Sequence, residues 1–473
     1  MSSNLSIQDN QLDFDFLNVK GNPDKTDFNN LSLIANASVE SLSKQNSSLL
    51  IFPQVLGFHD DGIEENEILK LHVNADDLSK VKISTGNLMG FVGVNDTQLK
   101  ITSRFSQEDE NDFFMHYMLQ KVFSINLFDL KYTSGNNGEL DLLMFSFPLL
   151  LKKAFAQGIF KTYKTFKRND SNVKGVIDIN RHIRFNYPFN GNIAYNSRER
   201  TFDNSITQLI RHTIEYIKSK PYGKDILNCD LETKECVSEI LESTSSYNVH
   251  EREKIISENL KPVNHPYFTA YKPLQKLCVA ILRHKKIGYG TSSNKVYGVL
   301  FDGAWLWEEY LWTILKKSDF KHPKNKTKTN GIHIHKGYIC YPDFYKGKQF
   351  ESRPSEEDMK DNFILDAKYK QGSYFNNFSE QTRSSVQRAD LHQLITYLHI
   401  LPANSGGLIY PYDGDEEALI VESKDTRELY GFGGALKTYG VKIPKNCDSY
   451  VSFSDEMKEM EKKLENYQWT KSL

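Results

Sequence analysis

The sequence predicts an α/β C-terminal domain, a mixed sheet flanked by helices, preceded by a β-rich N-terminal module and a mostly helical middle region. Three observations predict it. Between Leu49 and Thr102, short apolar segments alternate with Gly, Asn and Asp: Leu49 to Phe52, Ile68 to Val73, Gly90 to Val94 and Leu99 to Thr102. This is the spacing of strands and turns in a small barrel or sandwich. From Asp112 to Leu127, and again from Leu140 to Phe160, apolar residues recur at helical intervals. Toward the C-terminus, strand-like runs such as Phe363 to Leu365 alternate with helical faces. The expected divisions are residues 1–145, 146–290 and 291–473.

Taken in order, the opening residues are polar and acidic, with no basic segment followed by an apolar one. They predict partial disorder and no signal peptide. Val92 to Val94 and Leu99 to Ile101 predict a hairpin around Asn95-Asp96-Thr97. The longest apolar run, Leu140 to Leu151, falls short of the roughly 20 residues that cross a bilayer, so no membrane span is expected. Lys161 to Arg184 is basic and turn-rich, which fits a solvated connection and a surface for phosphate or an acidic partner equally well. Ile206, Leu209, Ile210, Ile214 and Ile217 then predict a helix over 205–219, with further helices near 232–242, 251–258 and 274–283.

Lys and Arg number 59 against 61 Asp and Glu, a formal net charge of −2. No global field draws such a chain to a polyanion, so nucleic-acid contact needs a local basic patch or a partner. The five cysteines are scattered without Cys-x-x-Cys spacing. They predict reduced thiols and a cytoplasmic protein, with neither a zinc site nor a disulfide framework. His333 and His335 alternate without a further nearby ligand, which is too few for zinc. No Gly-x-x-x-x-Gly-Lys-[Ser/Thr] occurs, so the chain has no P-loop.

The chemistry-bearing stretch is Tyr341-Pro342-Asp343 followed by Asp366-Ala367-Lys368 at the end of an apolar strand. Side chains alternate along a strand, so Asp366 and Lys368 share a face. Two carboxylates at neighbouring strand ends can hold Mg2+ beside a phosphate, and an adjacent ammonium can orient a water and offset developing charge. Upstream, Trp305 to Ile314 forms an apolar helix face interrupted by Glu308 and Glu309, and the residues alone leave either as a further ligand. Downstream, the predicted helix Ala389 to Leu401 turns Leu391, Leu394, Ile395 and Leu398 inward and carries Gln393 and Tyr397 at i, i+4. Lys316 to Lys336 lies between the Glu helix and Asp343, and makes Lys324, Lys326, Lys328 and Lys336 candidates for contacting a DNA backbone.

These elements resemble the PD-(D/E)xK superfamily of Mg2+-dependent nucleases, and Gln393 with Tyr397 resembles the Gln-x-x-x-Tyr element of RecB-type nucleases. Phe301-Asp302, Leu306-Trp307-Glu308, Tyr310, Tyr341-Pro342-Asp343 and Leu408 to Pro411 are similar to the nuclease half of the McrC family. Upstream, Gly90 to Val94, Arg104, Val173 to Asp178, Arg198, Asp203 and Asn204 extend the resemblance. It implies a restriction-endonuclease-like domain with Asp343, Asp366, Lys368 and Glu308 as catalytic residues and Gln393 and Tyr397 in support. It further implies Mg2+ as cofactor and double-stranded DNA, methylated or unmethylated, as substrate. The implied partner is an AAA+ GTPase ring of McrB type, carrying the GTP and contacted through the N-terminal module. An end-dependent RecB-type nuclease and an inactive adaptor with a nuclease-like fold are the competing readings.

Overall fold

The computed structural model describes residues 3–46, 49–56, 67–72, 77–106, 112–123, 143–220, 223–287, 296–324, 331–335, 338–348, 355, 362–370, 385–414, 418–422, 427–429 and 434–469. They form a mixed α/β structure of several sheets and helices in two compact units. One unit is drawn from within 1–124 and 292–473, the other from within 140–291. Among the described residues, no helix is long and apolar enough to cross a membrane.

The first unit contains a five-stranded sheet in the order Ser3–Gln8, Thr97–Thr102, Leu88–Val94, Val296–Asp302, Leu49–Phe52. Its hairpin, Leu88–Val94 with Thr97–Thr102, falls where the sequence predicts it. Leu88–Val94 is buried along its whole length, because Val296–Asp302 pairs against it from the far end of the chain. Two glycines permit that approach. A Cβ on Gly90, whose φ is +129°, would lie 2.2 Å from the Val299 carbonyl, and one on Gly93 would lie 2.1 Å from the Tyr297 ring. The polar opening of the chain is ordered here, contrary to expectation. Ser3–Gln8 pairs in parallel with Thr97–Thr102, and Asp24 and Asp27 close a capping box on the helix Lys25–Leu31. Leu5 and Ile7 alone face the core, too short an alternation to read as a strand.

The same unit carries the sheet that places the candidate chemistry, in the order Phe344–Lys346, Phe363–Ala367, Ser405–Tyr412, Ala435–Lys442, Ile420–Glu422, with Arg427–Glu428 also on Ala435–Lys442. The three central strands run parallel and the others antiparallel, so the sheet is mixed. Leu394 and Leu398 of the helix Ser385–Ile400 pack with Ile364 on one face. Phe363 meets Phe320 and Trp469 on the other.

In the second unit, helices Phe147–Phe155, Ser205–Lys218, Leu231–Ser243, Arg252–Glu258 and Tyr271–Ile287 follow the predicted periodicity. Asn204 accepts from Ile206 and Thr207 N–H as the cap of the Ser205 helix, and Asp203 accepts from Gln208 and Ser246. The basic stretch, which fits a solvated connection and a surface for phosphate or an acidic partner equally well, supplies two strands of a three-stranded antiparallel sheet of Thr162–Asp170, Ile193–Thr201 and Val176–Ile177. Thr162–Asp170 has no buried residue. A strand open on both faces shows no apolar alternation, which is why the sequence pattern hides it.

Candidate functional site

Asp343 sits immediately before Phe344–Lys346, and Asp366 is the fourth residue of Phe363–Ala367. Phe344 pairs with Leu365 in an antiparallel register, so one step further places Asp343 opposite Asp366. The Ala367 N–H donates to Asp343 Oδ2 at 2.7 Å, which fixes that carboxyl at the strand end. Asp366 has no exposed surface at all, and its strand is paired on both sides.

Lys368 follows on the Asp366 face. Its Nζ lies 2.6 Å from Asp366 Oδ2, donates to Gln393 Oε1 at 3.1 Å and stands 3.8 Å from Asp390 Oδ1. Gln393 in turn donates to the Tyr397 hydroxyl at 3.1 Å. The helix spacing i, i+4 therefore delivers an ordered relay from the ammonium to a phenol.

Burial shifts these groups strongly. It pushes Asp343 well above the usual carboxylate range, and the facing charge of Asp366 adds to the rise. Asp366 is raised by burial as well, against the opposing pull of Lys368. Burial would lower the Lys368 ammonium, but Asp366, Asp343 and Asp390 outweigh it and hold its pKa above the ordinary value. Burial also pushes the Tyr397 phenol up to about 12, with Asp366 and Asp343 contributing. Both Asp366 oxygens are buried and accept no well-directed hydrogen bond. Two buried carboxyls face one another with the Lys368 ammonium beside them, so the pair still carries more acid than base, and such an oxygen donor set fits a hard divalent cation.

The expected third carboxylate stands apart. Among the described residues, no group of three or more His, Cys, Asp or Glu comes together as a metal-ligand set. Glu308 Oε1 is instead 3.6 Å from His322 Nδ1, and that nitrogen lies 2.8 Å from the Asp343 carbonyl oxygen. Glu309 accepts from Lys324 Nζ at 2.8 and 3.1 Å, with His322 Nε2 3.8 Å away. Burial would raise Glu309, but His322 and Lys324 overcome it and hold the carboxyl down to about 2.

A family model for the "McrBC 5-methylcytosine restriction system component" matches residues 83–411, more than half of the chain. The chain belongs to this McrBC component family. No curated protein matches it. Among solved structures, it is similar to a chain of the half-complex from the tetradecameric assembly of Thermococcus gammatolerans McrB AAA+ hexamers with bound McrC. The identity is 14%, the TM-score 0.46, and the match covers 97% of this chain and 100% of that one. A chain of the Thermococcus gammatolerans McrBC complex matches at 14% identity and a TM-score of 0.31, over 66% of this chain and 87% of that one.

Of the residues the sequence singles out in this McrBC component, Asp343, Asp366, Lys368, Gln393 and Tyr397 come together, and Glu308 reaches them through His322. Lys324 is engaged by Glu309. Lys326, Lys328 and Lys336 lie outside the described residues. Sequence reasoning overlooked Asp390 and His322. Asp390 lies one helical turn before Gln393 and faces both Lys368 and Lys370, a signal the i, i+3 spacing already carried. His322 is 4% exposed between Trp312 and Phe344, and its position among seven lysines disguised it as one more surface cation.

Proposed function

We propose that this chain is the nuclease subunit of an McrBC-type restriction system and hydrolyses phosphodiester bonds of double-stranded DNA with Mg2+. The observation that carries the reading is the convergence of two buried carboxyls with an ammonium ordered by Gln393, at the end of a strand in a mixed sheet. An inactive adaptor would have no reason to keep three ionisable groups this dry and this close, since burying them costs stability.

In this reading Asp343 and Asp366 are the residues that would hold the metal. When bound, Mg2+ supplies Lewis-acid polarisation of the phosphate and a water of lowered pKa. The Lys368 ammonium, placed beside Asp366 and Gln393, acts as donor and charge toward the attacking water and the charge developing on the phosphate. Gln393 fixes the ammonium from one side, and Tyr397 holds Gln393. Glu308 and His322 support the Asp343 turn.

The family's role as a component of a system, the absent P-loop and the near-neutral charge favour a partner that brings DNA and hydrolyses nucleotide. We assign that role to an AAA+ GTPase ring of McrB type and place both in the cytoplasm, with the docking surface within residues 1–145, the bridge at 146–290 and the nuclease domain at 291–473. Removing residues 1–145 is no clean test of docking, because the four strands that share a sheet with Val296–Asp302 would leave with them. The decisive experiment uses the full chain. Alone it should cut covalently closed circular duplex DNA poorly, and adding the GTPase, GTP and Mg2+ should switch cutting on. Rapid cutting of linear DNA alone, indifferent to partner and nucleotide, would instead establish an end-dependent nuclease.

A further inference from the structure

Lys368, one residue past the strand Phe363–Ala367, still bonds to the neighbouring strand, its N–H donating to the Ile409 carbonyl at 2.9 Å. The next residue, Tyr369, is anchored differently. Its carbonyl accepts from Arg104 Nη1 at 3.2 Å, its ring lies 4.7 Å beneath the same guanidinium, and its hydroxyl is 2.7 Å from Ser103 Oγ. Arg104 is itself clamped: Nη2 donates to Asp9 Oδ2 and to Asn87 Oδ1, both at 2.7 Å, and Nε reaches both Asp9 oxygens at 3.2 and 3.1 Å. Asn87 then uses its backbone carbonyl to accept from the Gly303 N–H at 2.8 Å. Gly303 is the first residue of the helix that carries Glu308, and a Cβ there would sit 2.7 Å from the Tyr369 ring.

We infer that the Asp9–Arg104 pair, with Asn87 and Ser103, is a positioning device that sets the Lys368 strand end against the Glu308 helix through Tyr369. A buried ion pair is a poor source of stability compared with apolar packing of equal volume, but its hydrogen bonds are directional. Asp9 and Arg104 are 1% and 7% exposed, and Arg104 reaches beyond the pair to the Tyr369 carbonyl and to Asn87, which holds Gly303. Consecutive Cα atoms are about 3.8 Å apart, so any drift of Tyr369 is passed to Lys368 directly. A shift on the order of 1 Å in such a group is enough to cost about 100-fold in rate. The device therefore lets a sheet formed by the beginning of the chain govern the alignment of groups near its end. All of these residues are positioning residues, and none touches the reacting atoms.

This inference rests on the nuclease reading, and its test separates the two. The double variant Asp9→Asn/Arg104→Met removes both charges together, so that neither is left buried and alone. It is compared with wild type and with Asp366→Ala, as full chains with the AAA+ GTPase, GTP and Mg2+. Melting temperature, single-turnover cleavage and hydrogen exchange of the 363–370 segment are measured in each. The expected result is a melting temperature near that of wild type, cleavage reduced about 10- to 100-fold, and faster exchange confined to the segment's end. A double variant that melts, cuts and exchanges like wild type would overturn the inference. Should it fail to fold, Tyr369→Phe and Tyr369→Leu decide the matter. The phenylalanine keeps the ring under Arg104 and should retain most cleavage, whereas the leucine should lose it at matched stability, and equal cleavage by both would overturn the proposal. If wild type itself does not cut, the nuclease reading falls, and exchange still reports whether the pair holds the strand end.

Discussion

The strands Phe363–Ala367 and Thr162–Asp170 both carry charge, and they treat it in opposite ways. In the first, Phe363 to Asp366 are buried, and Asp366 lies against Lys368 and Asp343 with no exposed surface of its own. In the second, every residue is exposed or half-exposed, and Arg168 pairs with Glu199 on the neighbouring strand at 2.9 Å in contact with solvent. Ser197 and Arg168 hold Glu199 below its usual range. Charge in water is cheap and says little about purpose. Charge held dry against its own kind persists only where the arrangement is used, so the first sheet is where chemistry is to be sought.

The largest effect expected from this contrast is on cleavage. Asp366→Ala, Asp343→Ala and Lys368→Ala should each reduce cutting by the assembled complex at least about 100- to 1,000-fold, as removal of one preorganised charge does in other enzymes. Partner binding should be unchanged, and the melting temperature of Asp343→Asn should equal or exceed that of wild type, because a buried carboxyl under strain is replaced by a neutral amide that still accepts from Ala367. Gel assays with supercoiled DNA and thermal melts check both. Full nicking by Asp366→Ala would remove the reason for treating the two sheets differently.

Next in size is a buried charge left alone. Arg104→Met by itself strands Asp9, whose carboxyl burial already raises above its ordinary pKa, and should cost about 3–5 kcal/mol in chemical denaturation. The same substitution with Asp9→Asn should recover most of that loss. A single variant as stable as wild type would mean that water reaches the pair.

The sequence announced the candidate site better than the frame that holds it. Asp343, Asp366 and Lys368 were legible because a strand's alternation and an antiparallel register are local rules, and Gln393 with Tyr397 because i, i+4 spacing is local too. The helix Gly303–Leu315 and the Leu88–Val94 hairpin were legible for the same reason. Tyr369 was invisible, since its partners Ser103 and Arg104 lie more than 250 residues away in the chain and nothing in Lys368-Tyr369-Lys370 announces them. The sharing of one sheet by Val296–Asp302 and the N-terminal strands was equally hidden, because strand pairing at that distance leaves no periodic trace.

A third effect is pH-dependent and tests the second unit, where a neutral group is kept dry. His212 is fully buried beside Tyr247, and burial, with help from Arg252 and Arg211, pushes its pKa down to about 4. The unfolded chain takes up that proton near pH 6.5, so between about 6.5 and 4 it binds more protons than the folded chain and stability falls as pH falls. Below about 4 both states are protonated and the loss is complete, at up to about 3 kcal/mol. In His212→Phe this part of the slope should vanish. Denaturation of both proteins at pH 7 and pH 4.5 measures it, and parallel curves would show that His212 is protonated in the folded chain.

The smallest effect is expected where the open strand keeps its charge in water. Arg168 donates through Nε and Nη2 to both Glu199 oxygens, at 3.1 and 2.9 Å, a bidentate geometry that looks strong on paper. Both side chains are about two-fifths exposed, so water and salt compete for each partner and the flexible ends lose entropy when they pair. Arg168→Ala should therefore barely move the denaturation midpoint, and 0.5 M salt should erase most of the difference. Arg181 complicates the comparison usefully: its Nη2 donates to the Arg168 carbonyl, a backbone bond that the alanine keeps. A large drop in the midpoint, insensitive to salt, would mean that this sheet is covered in solution and that its charges are as shielded as those around Asp366.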